Sequence, residues 1–462
     1  MESARTLSRR HFLMASAVAG ATVLVSCAPK TPAEPATSAP AQSSGGSPTS
    51  APSEAKPASK SPTTVVVMYG RAELSDAEIK TCEEKYPEIK IEYLENDPTR
   101  LMAMLSAGEP PDYCRNNAVD TPFWVRAKAW LDMTPYIDTS TKIKWDDFHP
   151  VGEMYRYEGG FWGIMKDWGA SFSVWAYLPV WEEAGVELPK ADQPMPLEFY
   201  REASAKLTKK EGDRVLMFGW DSVWDAGHIQ KALHPLGASL FSAEFDKVLL
   251  KDNPQAVEFI KFITDWQKEK TCTSPINPSD KLATDNFCAK LSATVNTGYW
   301  LAAKCVNRAP ETEEQIMMYP AWGWGDVTEE YNPNAWGAGG SIARESKVPD
   351  AAWLFNEYYT IEEPAIARSK TGWGVPAFKS LFPNMPQGTP WRKSLYDMIM
   401  HQAESVLPPL QFGPYIQRTS MDAPFKKYSQ MYLKGEITFD DMLVRLEGEV
   451  NQVISDAMSR QG

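Results

Sequence analysis

The chain has few features of nucleic-acid-binding or membrane-embedded proteins. Its 47 Lys and Arg residues are outnumbered by 60 Asp and Glu, so the formal net charge is −13 at pH 7. An acidic chain without a basic block excludes a nucleic acid as partner. Beyond residue 27 no second long apolar run occurs, so we expect no membrane-spanning segment in the remainder of the chain.

Motifs of common hydrolases and nucleotide-binding enzymes are also absent. The sequence contains no Gly-x-Ser-x-Gly, no P-loop and no His-Glu-x-x-His, and it has only five histidines. We expect His149, His228, His234 and His401 to be hydrogen-bonded structural residues rather than metal ligands or catalytic bases. The sequence therefore predicts a protein that is not an enzyme and that uses no cofactor.

The cysteines lack the spacing of a metal site. No Cys-x-x-Cys pair and no histidine at ligand spacing occurs, so zinc is not expected. After Cys27 the chain has an odd number of cysteines, which leaves at least one thiol unpaired. Disulfides and buried free thiols are both open readings, and the sequence alone does not give the pairing of Cys82, Cys114, Cys272, Cys288 and Cys305.

What the sequence does have is an export signal at its beginning. Residues 8–13 read Ser-Arg-Arg-His-Phe-Leu, an apolar run follows over 14–25, and residues 24–27 read Leu-Val-Ser-Cys. The first motif resembles a twin-arginine signal and the last a bacterial lipobox, whose cysteine is acylated. The alternative is a single membrane-spanning helix, but the run is shorter than the roughly 20 residues that a bilayer needs. Residues 1–26 are therefore predicted to be a signal peptide, and Cys27 the lipidation site.

The next segment has the composition of a tether. Residues 27–61 are rich in Pro, Ala, Ser and Thr and show no apolar periodicity, so they cannot bury enough surface to fold. A Pro-rich spacer is extended at about 3 Å per residue. The expected location is the outer face of the bacterial cytoplasmic membrane, extracellular or periplasmic, with the folded part held by a lipid anchor.

The folded part begins with an alternation of strand and helix. Residues 63–68 form a β-branched run, Ser75 opens a helix with a capping box, and residues 89–93 alternate as a strand. This order predicts a βαβ unit with parallel strands and a right-handed crossover. A second helix over 99–107 is expected to end at Gly108.

Helical periodicity dominates later in the chain. Asn253 caps a helix whose apolar residues recur at helical spacing as far as Trp266, and Thr438 begins another with Leu446, Val450 and Val453 on its apolar face. The predicted fold class is α/β with a helical C-terminal end.

Several segments, in order and spacing, resemble the extracellular solute-binding protein family 1, the sugar-binding components of bacterial ABC importers. They are Ala-Gly-Glu-Pro-Pro-Asp at 107–112, Leu-Asp-Met-Thr-Pro-Tyr-Ile at 131–137, Gly-Gly-Phe-Trp-Gly-Ile at 159–164, Trp-Glu-Glu-Ala-Gly-Val at 181–186, the stretch from Phe287 to Trp300, and Gly-Gly-Ser-Ile at 339–342. The resemblance runs from about residue 63 to the C-terminus.

The resemblance implies a two-lobed periplasmic-binding-protein-like fold of type II, with a ligand cleft between lobes that close as a hinge. It assigns residues 62–168 and 336–380 to the first lobe, and 169–335 and 381–462 to the second. It also implies a monomer whose partners are a carbohydrate ligand and the transmembrane subunits of an ABC permease.

Aromatic residues beside glycine or an acid are the main chemical signal for a site. A pyranose has an apolar C–H face and a rim of hydroxyls, so a flat aromatic ring and nearby polar groups hold it together. The candidates are Asp167, Trp168, Trp220, Trp224, Tyr299, Trp300, Trp336 and Trp373. The resemblance singles out Trp300, whose position in the family often stacks on sugar.

Other tryptophans fall in amphipathic helical stretches, and we expect them to pack in the core. They are Trp124, Trp130, Trp181, Trp266 and Trp353.

Polar residues that follow the first strands complete the predicted site. Tyr69 and Arg71 come after the first strand, and Asn116 with Asn117 comes after the second strand pair. Ligands of open α/β sheets bind at the carboxyl ends of the strands. Tyr69, Arg71 and Asn116 are therefore candidate ligand-binding residues.

Two other kinds of function remain open. The same fold can bind a polyamine, a peptide or iron, which would require converging acids for polyamine or a tyrosine cluster for iron. A secreted glycosidase also lines its cleft with tryptophan and needs two carboxylates roughly 5–10 Å apart, for which Asp167, Asp221 and Asp225 are available. Neutral indoles predominate here, which favours a non-catalytic sugar-binding protein.

Overall fold

The computed structural model describes residues 61–222, 224–327, 329–404, 410 and 412–459. The predicted signal peptide, the lipidation site at Cys27 and all but the last residue of the predicted linker lie outside these residues. The strands are β1 (Thr63–Tyr69), β2 (Ile89–Glu95), β3 (Tyr113–Asn117), β4 (Arg156–Tyr157), β5 (Gly160–Phe161), β6 (Ile164–Trp168), β7 (Ser173–Tyr177), β8 (Lys209–Glu211), β9 (Arg214–Met217), β10 (Thr294–Asn296), β11 (Ile316–Ala321), β12 (Ala338–Ile342) and β13 (Val375–Pro376).

The α-helices are α1 (Asp76–Lys85), α2 (Pro98–Ala107), α3 (Thr121–Arg126), α4 (Thr134–Thr139), α5 (Leu178–Glu183), α6 (Leu197–Leu207), α7 (Ala226–Leu233), α8 (Pro254–Lys268), α9 (Ala283–Cys288), α10 (Leu301–Arg308), α11 (Pro349–Ile361), α12 (Glu363–Ser369), α13 (Pro390–Glu404), α14 (Thr419–Leu433) and α15 (Phe439–Ser459). Short 3₁₀ helices span Ala118–Asp120, Trp145–Asp147, Pro150–Tyr155, His234–Leu236, Pro310–Thr312 and Lys379–Asn384.

The first lobe is built on a six-stranded sheet in the order β13-β6-β12-β3-β1-β2. β1 lies parallel to β2 and β3, whereas β12 is antiparallel to both β3 and β6. Ser75 caps α1 with the reciprocal bonds of a capping box, and Gly108 ends α2 in the left-handed conformation. The predicted β1-α1-β2 unit and the second helix are thus confirmed.

The second lobe is built on a three-stranded antiparallel sheet in the order β10-β7-β11. The chain passes from the first sheet to the second between β6 and β7, and returns between β11 and β12. The two-lobed α/β architecture is confirmed. All strands of the first sheet fall within 62–168 and 336–380, and the exact lobe boundaries stay a prediction.

The predicted core positions are confirmed except at Val453, and one predicted helical position is wrong: α3 ends at Arg126, so Trp130 lies in a β-bridge with Ala343 and not in a helix. All five tryptophans assigned to the core are buried, and Asn253 caps α8 through its side chain. In α15, however, the buried stripe follows Leu446, Val450 and Ile454, and Val453 is 40% exposed. The prediction that Val453 packs on the core is therefore wrong. Leu446, Val450 and Ile454 follow one another at intervals of four residues, which places Ile454 rather than Val453 against the core.

A disulfide joins two short helices of the second lobe. Cys288 at the end of α9 is bonded to Cys305 of α10, while Cys82, Cys114 and Cys272 are buried free thiols. The bond closes a loop of 17 residues. Because this loop contains Trp300, the bond also restrains the segment that carries that residue.

Removing this disulfide is expected to destabilise the protein. Replacing both Cys288 and Cys305 by alanine should lower the free energy of unfolding by about 3 kcal/mol, since the unfolded chain gains the entropy of an open loop. Urea unfolding of the oxidised protein measures the change. A reductant should lower the wild-type midpoint by a similar amount and leave the double variant unchanged. A double variant with the wild-type midpoint would contradict the expectation.

Within the described part of the chain, no helix has both the length and the apolar character needed to cross a bilayer.

Candidate functional site

A cleft of about 510 Å³ lies between the two lobes. Its volume is within the range of roughly 300–1,000 Å³ that small-molecule sites occupy. Residues of the first lobe lining it include Glu73, Arg115, Lys166, Asp167, Trp168, Ala338, Trp373 and Gly374. Residues of the second lobe and the crossing segments include Ser171, Ser222, Asp225, His228, Leu282, Thr284, Asn296, Thr297, Trp300 and Trp336.

Four indoles form the aromatic part of this cleft. Trp300 precedes α10 and Trp373 follows α12, and their ring centroids are 6.2 Å apart at an interplanar angle of 43°. Trp336 lies in the segment between β11 and β12, where the chain returns to the first lobe, and it is half-buried like Trp300 and Trp373. Trp168 at the end of β6 is 2% exposed, stacks on His149 and donates its indole N–H to the Pro376 carbonyl. Trp300, Trp336 and Trp373 thus keep part of their surface free for a ligand.

Paired charges occupy the first-lobe side of the cleft. Glu73 follows β1 and lies 2.9 Å from Arg115 Nε of β3 and 3.2 Å from Lys166 Nζ of β6. Lys166 also contacts Asp167 at 2.5 Å. Burial alone would raise the pKa of Glu73, but the charges of Lys166 and Arg115 outweigh it and lower the pKa to about 2. The charged groups on this side therefore neutralise one another.

A second polar cluster lies on the opposite side. His228 Nδ1 is 2.8 Å from Asp225 Oδ1, and Arg418 Nη1 donates to Asp225 Oδ2 at 2.9 Å. His228 Nε2 is 2.9 Å from Asn296 Oδ1, to which the Ser222 hydroxyl donates at 2.7 Å. Burial would raise the pKa of Asp225, but His228 and Arg418 lower it.

Ser222, His228 and Asp225 are the residue types of a catalytic triad, namely nucleophile, base and acid. Their contacts, however, do not activate the serine. Ser222 Oγ is 3.3 Å from His228 Nε2 and only 2.7 Å from Asn296 Oδ1, so its proton goes to the amide oxygen. An activated serine donates to the histidine nitrogen. This cluster therefore positions Asn296 and does not prepare a nucleophile.

Among the predicted site residues, Asp167, Trp168, Trp300, Trp336 and Trp373 line the cleft. The structure brings these five together from the end of β6, the returning crossing and the starts of α10 and β13.

The three residues predicted at the first strands lie elsewhere. Tyr69 is fully buried, and its hydroxyl donates to the Gly339 carbonyl, because alternation along β1 turns it into the sheet interior. Arg71 points outward, paired with Asp76 and stacked on the Tyr93 ring at 3.4 Å. Asn116 is buried and donates to Ser341 Oγ.

Three aromatic candidates of the second lobe also do not line the cleft. Trp220 and Trp224 pack in the core beside Trp266, at centroid distances of 5.3 and 5.9 Å. Tyr299 is 2% exposed and lines a separate cavity of about 220 Å³. A glycine or acid next to an aromatic residue does not fix the direction of its ring, which is why the pattern included these three.

Most of the charged and polar lining was not predicted from the sequence. Glu73, Lys166 and Asn296 carried no recognisable motif, and His228 was assigned a purely structural role although it lines the cleft. Arg115 could have been found: successive side chains of a strand point to opposite faces, so a buried Asn116 places Arg115 on the cleft side.

Comparisons with known proteins give the fold. No family model and no curated protein matches the chain. Among solved structures, an ABC substrate-binding protein from Listeria monocytogenes in complex with cycloalternan is 18% identical, with a TM-score of 0.70 over 85% of this chain and 99% of that one. The acarbose-binding GacH receptor of Streptomyces glaucescens is 16% identical, with a TM-score of 0.67 over 86% and 99%.

A third similar structure is the ABC transporter associated binding protein from B. animalis subsp. lactis Bl-04 in complex with β-1,6-galactobiose, at 18% identity and a TM-score of 0.67 over 86% of this chain and 98% of that one. The chain therefore has the two-lobed fold of ABC transporter solute-binding proteins.

Proposed function

We propose that this chain is the non-catalytic binding component of an ABC importer, which captures a sugar or oligosaccharide between its lobes and delivers it to the permease. The observation that carries the proposal is the set of half-buried indoles, Trp300, Trp336 and Trp373, beside polar groups of both lobes. Such a surface suits the apolar face and hydroxyl rim of a pyranose. The sugars bound by the similar structures support the same ligand class.

The transport mechanism follows from the position of the cleft. A ligand that contacts Trp373 of the first lobe and Trp300 of the second gains its full set of contacts only when the lobes are closed. Binding therefore shifts the population toward the closed form, which the permease can distinguish from the open one. The signal peptide, the lipid anchor on Cys27, the extracytoplasmic location and the monomeric state belong to this proposal as predictions from the sequence.

The charges of the cleft favour a neutral ligand over a polyamine. Glu73 is paired with Arg115 and Lys166, and Asp225 with His228 and Arg418. These acids already have partners, whereas a polyamine needs carboxylates free to converge on it. An iron site would need a tyrosine cluster, and no tyrosine is among the described residues that line the cleft.

A glycosidase needs a carboxyl group that stays protonated as general acid. The pKa values of Glu73 and Asp225 are instead lowered by their cationic partners. Burial raises the pKa of Asp221 to about 6, but Asp221 accepts hydrogen bonds from Thr273 and Asn286 and is not part of the cleft lining. The carboxylates thus fit hydroxyl recognition better than glycoside cleavage.

The proposal is tested by a thermal-shift screen of the purified chain. The panel contains mono- and oligosaccharides, polyamines, peptides and iron, and every sugar that shifts the melting temperature is recovered and analysed. Intact sugar after a shift of several degrees supports a binding protein. Cleaved sugar would indicate an enzyme, and a shift only with a polyamine, peptide or iron would replace the carbohydrate by that class.

Replacing Trp300 by alanine should weaken binding of any sugar hit about 10- to 30-fold, because the ring loses its stacking surface on the ligand. Isothermal titration calorimetry measures the change in Kd. The matched control is Trp145→Ala, which removes an indole from the first lobe that packs on Phe148 and Phe161 and does not line the cleft. Equal affinities of the Trp300 variant and the wild type would remove Trp300 from the site.

A further inference from the structure

A chain of hydrogen bonds connects the first lobe to the ligand side of the second. Asp120, buried in the first lobe, accepts the backbone N–H of Arg418 at 3.0 Å. The Arg418 side chain donates to Asp225, which holds His228, and His228 in turn contacts the Asn296 amide. We call this series, from Asp120 to Asn296, the relay.

The last member of the relay has one polar atom without a partner. Asn296 lines the cleft and is 8% exposed, and its Nδ2 has no hydrogen-bond partner among the described residues. Arg418 Nε of the relay is also unpartnered, as is Oδ1 of Asp422, whose other oxygen pairs with Arg418 Nη1, but neither residue lines the cleft. A buried N–H without an acceptor is costly. A ligand oxygen beside Asn296 would remove that cost.

The contacts also fix which end of the amide is free. His228 Nδ1 contacts the Asp225 carboxylate at 2.8 Å, and its Nε2 lies 2.9 Å from Asn296 Oδ1. Ser222 donates to the same oxygen. Because the Ser222 hydroxyl donates to the amide oxygen and Nδ2 has no partner, the amide nitrogen is the end left for a ligand.

On the basis of the proposed function, we propose that Asn296 is a specificity-determining residue, whose amide N–H donates to an acceptor oxygen of the bound sugar, and that Arg418 is its positioning residue. Arg418 does not line the cleft. It fixes Asp225, and through Asp225 and His228 it sets the orientation of the amide. It also carries the link to the first lobe through Asp120.

The test compares Asn296→Asp with Arg418→Gln in the full chain. Asn296→Asp keeps the shape of the side chain and replaces the donor by an acceptor. Affinities are measured by calorimetry for a fixed set of probes: β-1,6-galactobiose, mannobiose, mannotriose and acarbose. The control is Asn277→Asp, the same exchange in the second lobe at a side chain that donates to backbone carbonyls outside the cleft.

We expect Asn296→Asp to weaken the probes that bind the wild type about tenfold or more, and Asn277→Asp to leave them within twofold. Arg418→Gln should weaken the same probes severalfold. In the double variant the losses should not add, because both act on one hydrogen bond. If Arg418→Gln does not fold, Arg418→Lys replaces it, since lysine keeps a positive charge beside Asp225 but lacks the planar guanidinium that fixes the carboxylate.

Unchanged or tighter binding by Asn296→Asp would overturn the inference, because the amide oxygen rather than the nitrogen would then face the ligand. The proposed function would stand in that case. Losses that add in the double variant would remove Arg418 as positioning residue. If no probe binds the wild type and the thermal-shift screen also yields no sugar, the proposed function fails together with the inference.

Discussion

Replacing Glu73 by alanine is expected to lower the free energy of unfolding by about 3–5 kcal/mol, because it leaves buried cations with too few partners. The Lys166 side chain is 1% exposed and that of Arg115 is 21% exposed, and both contact Glu73. Urea unfolding measures the loss. The control is Asp76→Ala, since that carboxylate is 88% exposed and its pair with Arg71 is worth well under 1 kcal/mol. A Glu73 variant no less stable than the control would contradict this expectation.

The same residue predicts an acid-sensitive part of the stability. The pKa of Glu73 falls from 4.5 to about 2 on folding, so the folded state favours the ionised form. The stabilisation is complete above pH 4.5 and is lost as the pH falls toward 2, and its size is about 3 kcal/mol. Glu73→Gln should flatten the decline of the unfolding free energy between pH 5 and 2. A variant whose acid profile is parallel to that of the wild type would remove Glu73 as the cause.

Local signals made the framework of the fold predictable. The β-branched run at 63–68 and the capping box at Ser75 are decided by neighbouring residues, and both appear in the structure as expected. The place of β12 between β3 and β6 was not predictable in this way, because it depends on partners far apart in the chain. The second lobe has only short strands, which carry little periodicity.

The site was predictable where one side chain alone has the required chemistry. Trp336 and Trp373, which stand beside glycine, and Trp300, which the family resemblance singled out, all line the cleft. Glu73 and Lys166 were not found, since their role arises from a contact between segments some 90 residues apart. Trp220 and Trp224 illustrate the opposite error, because the same pattern of aromatic and acid also occurs in a packed core.

Replacing Gly339 by alanine is expected to prevent the first lobe from forming its sheet. A Cβ at this position of β12 would lie 2.0 Å from the Ile164 carbonyl oxygen and 2.7 Å from the Met165 Cα, both backbone atoms of β6. Side chains can turn away from such a contact, but a neighbouring strand must separate and give up its ladder hydrogen bonds. We expect a loss of about 4 kcal/mol or more in the free energy of unfolding.

Gly448→Ala is the matched control for this substitution. Gly448 is exposed within α15, and no atom lies within 4 Å of a Cβ built there. Alanine should stabilise that helix by up to about 1 kcal/mol. Thermal unfolding of both variants measures the two effects, which have opposite signs. A Gly339 variant that melts near the wild type would mean that β12 and β6 can move apart at little cost, and that strand packing does not require glycine at position 339.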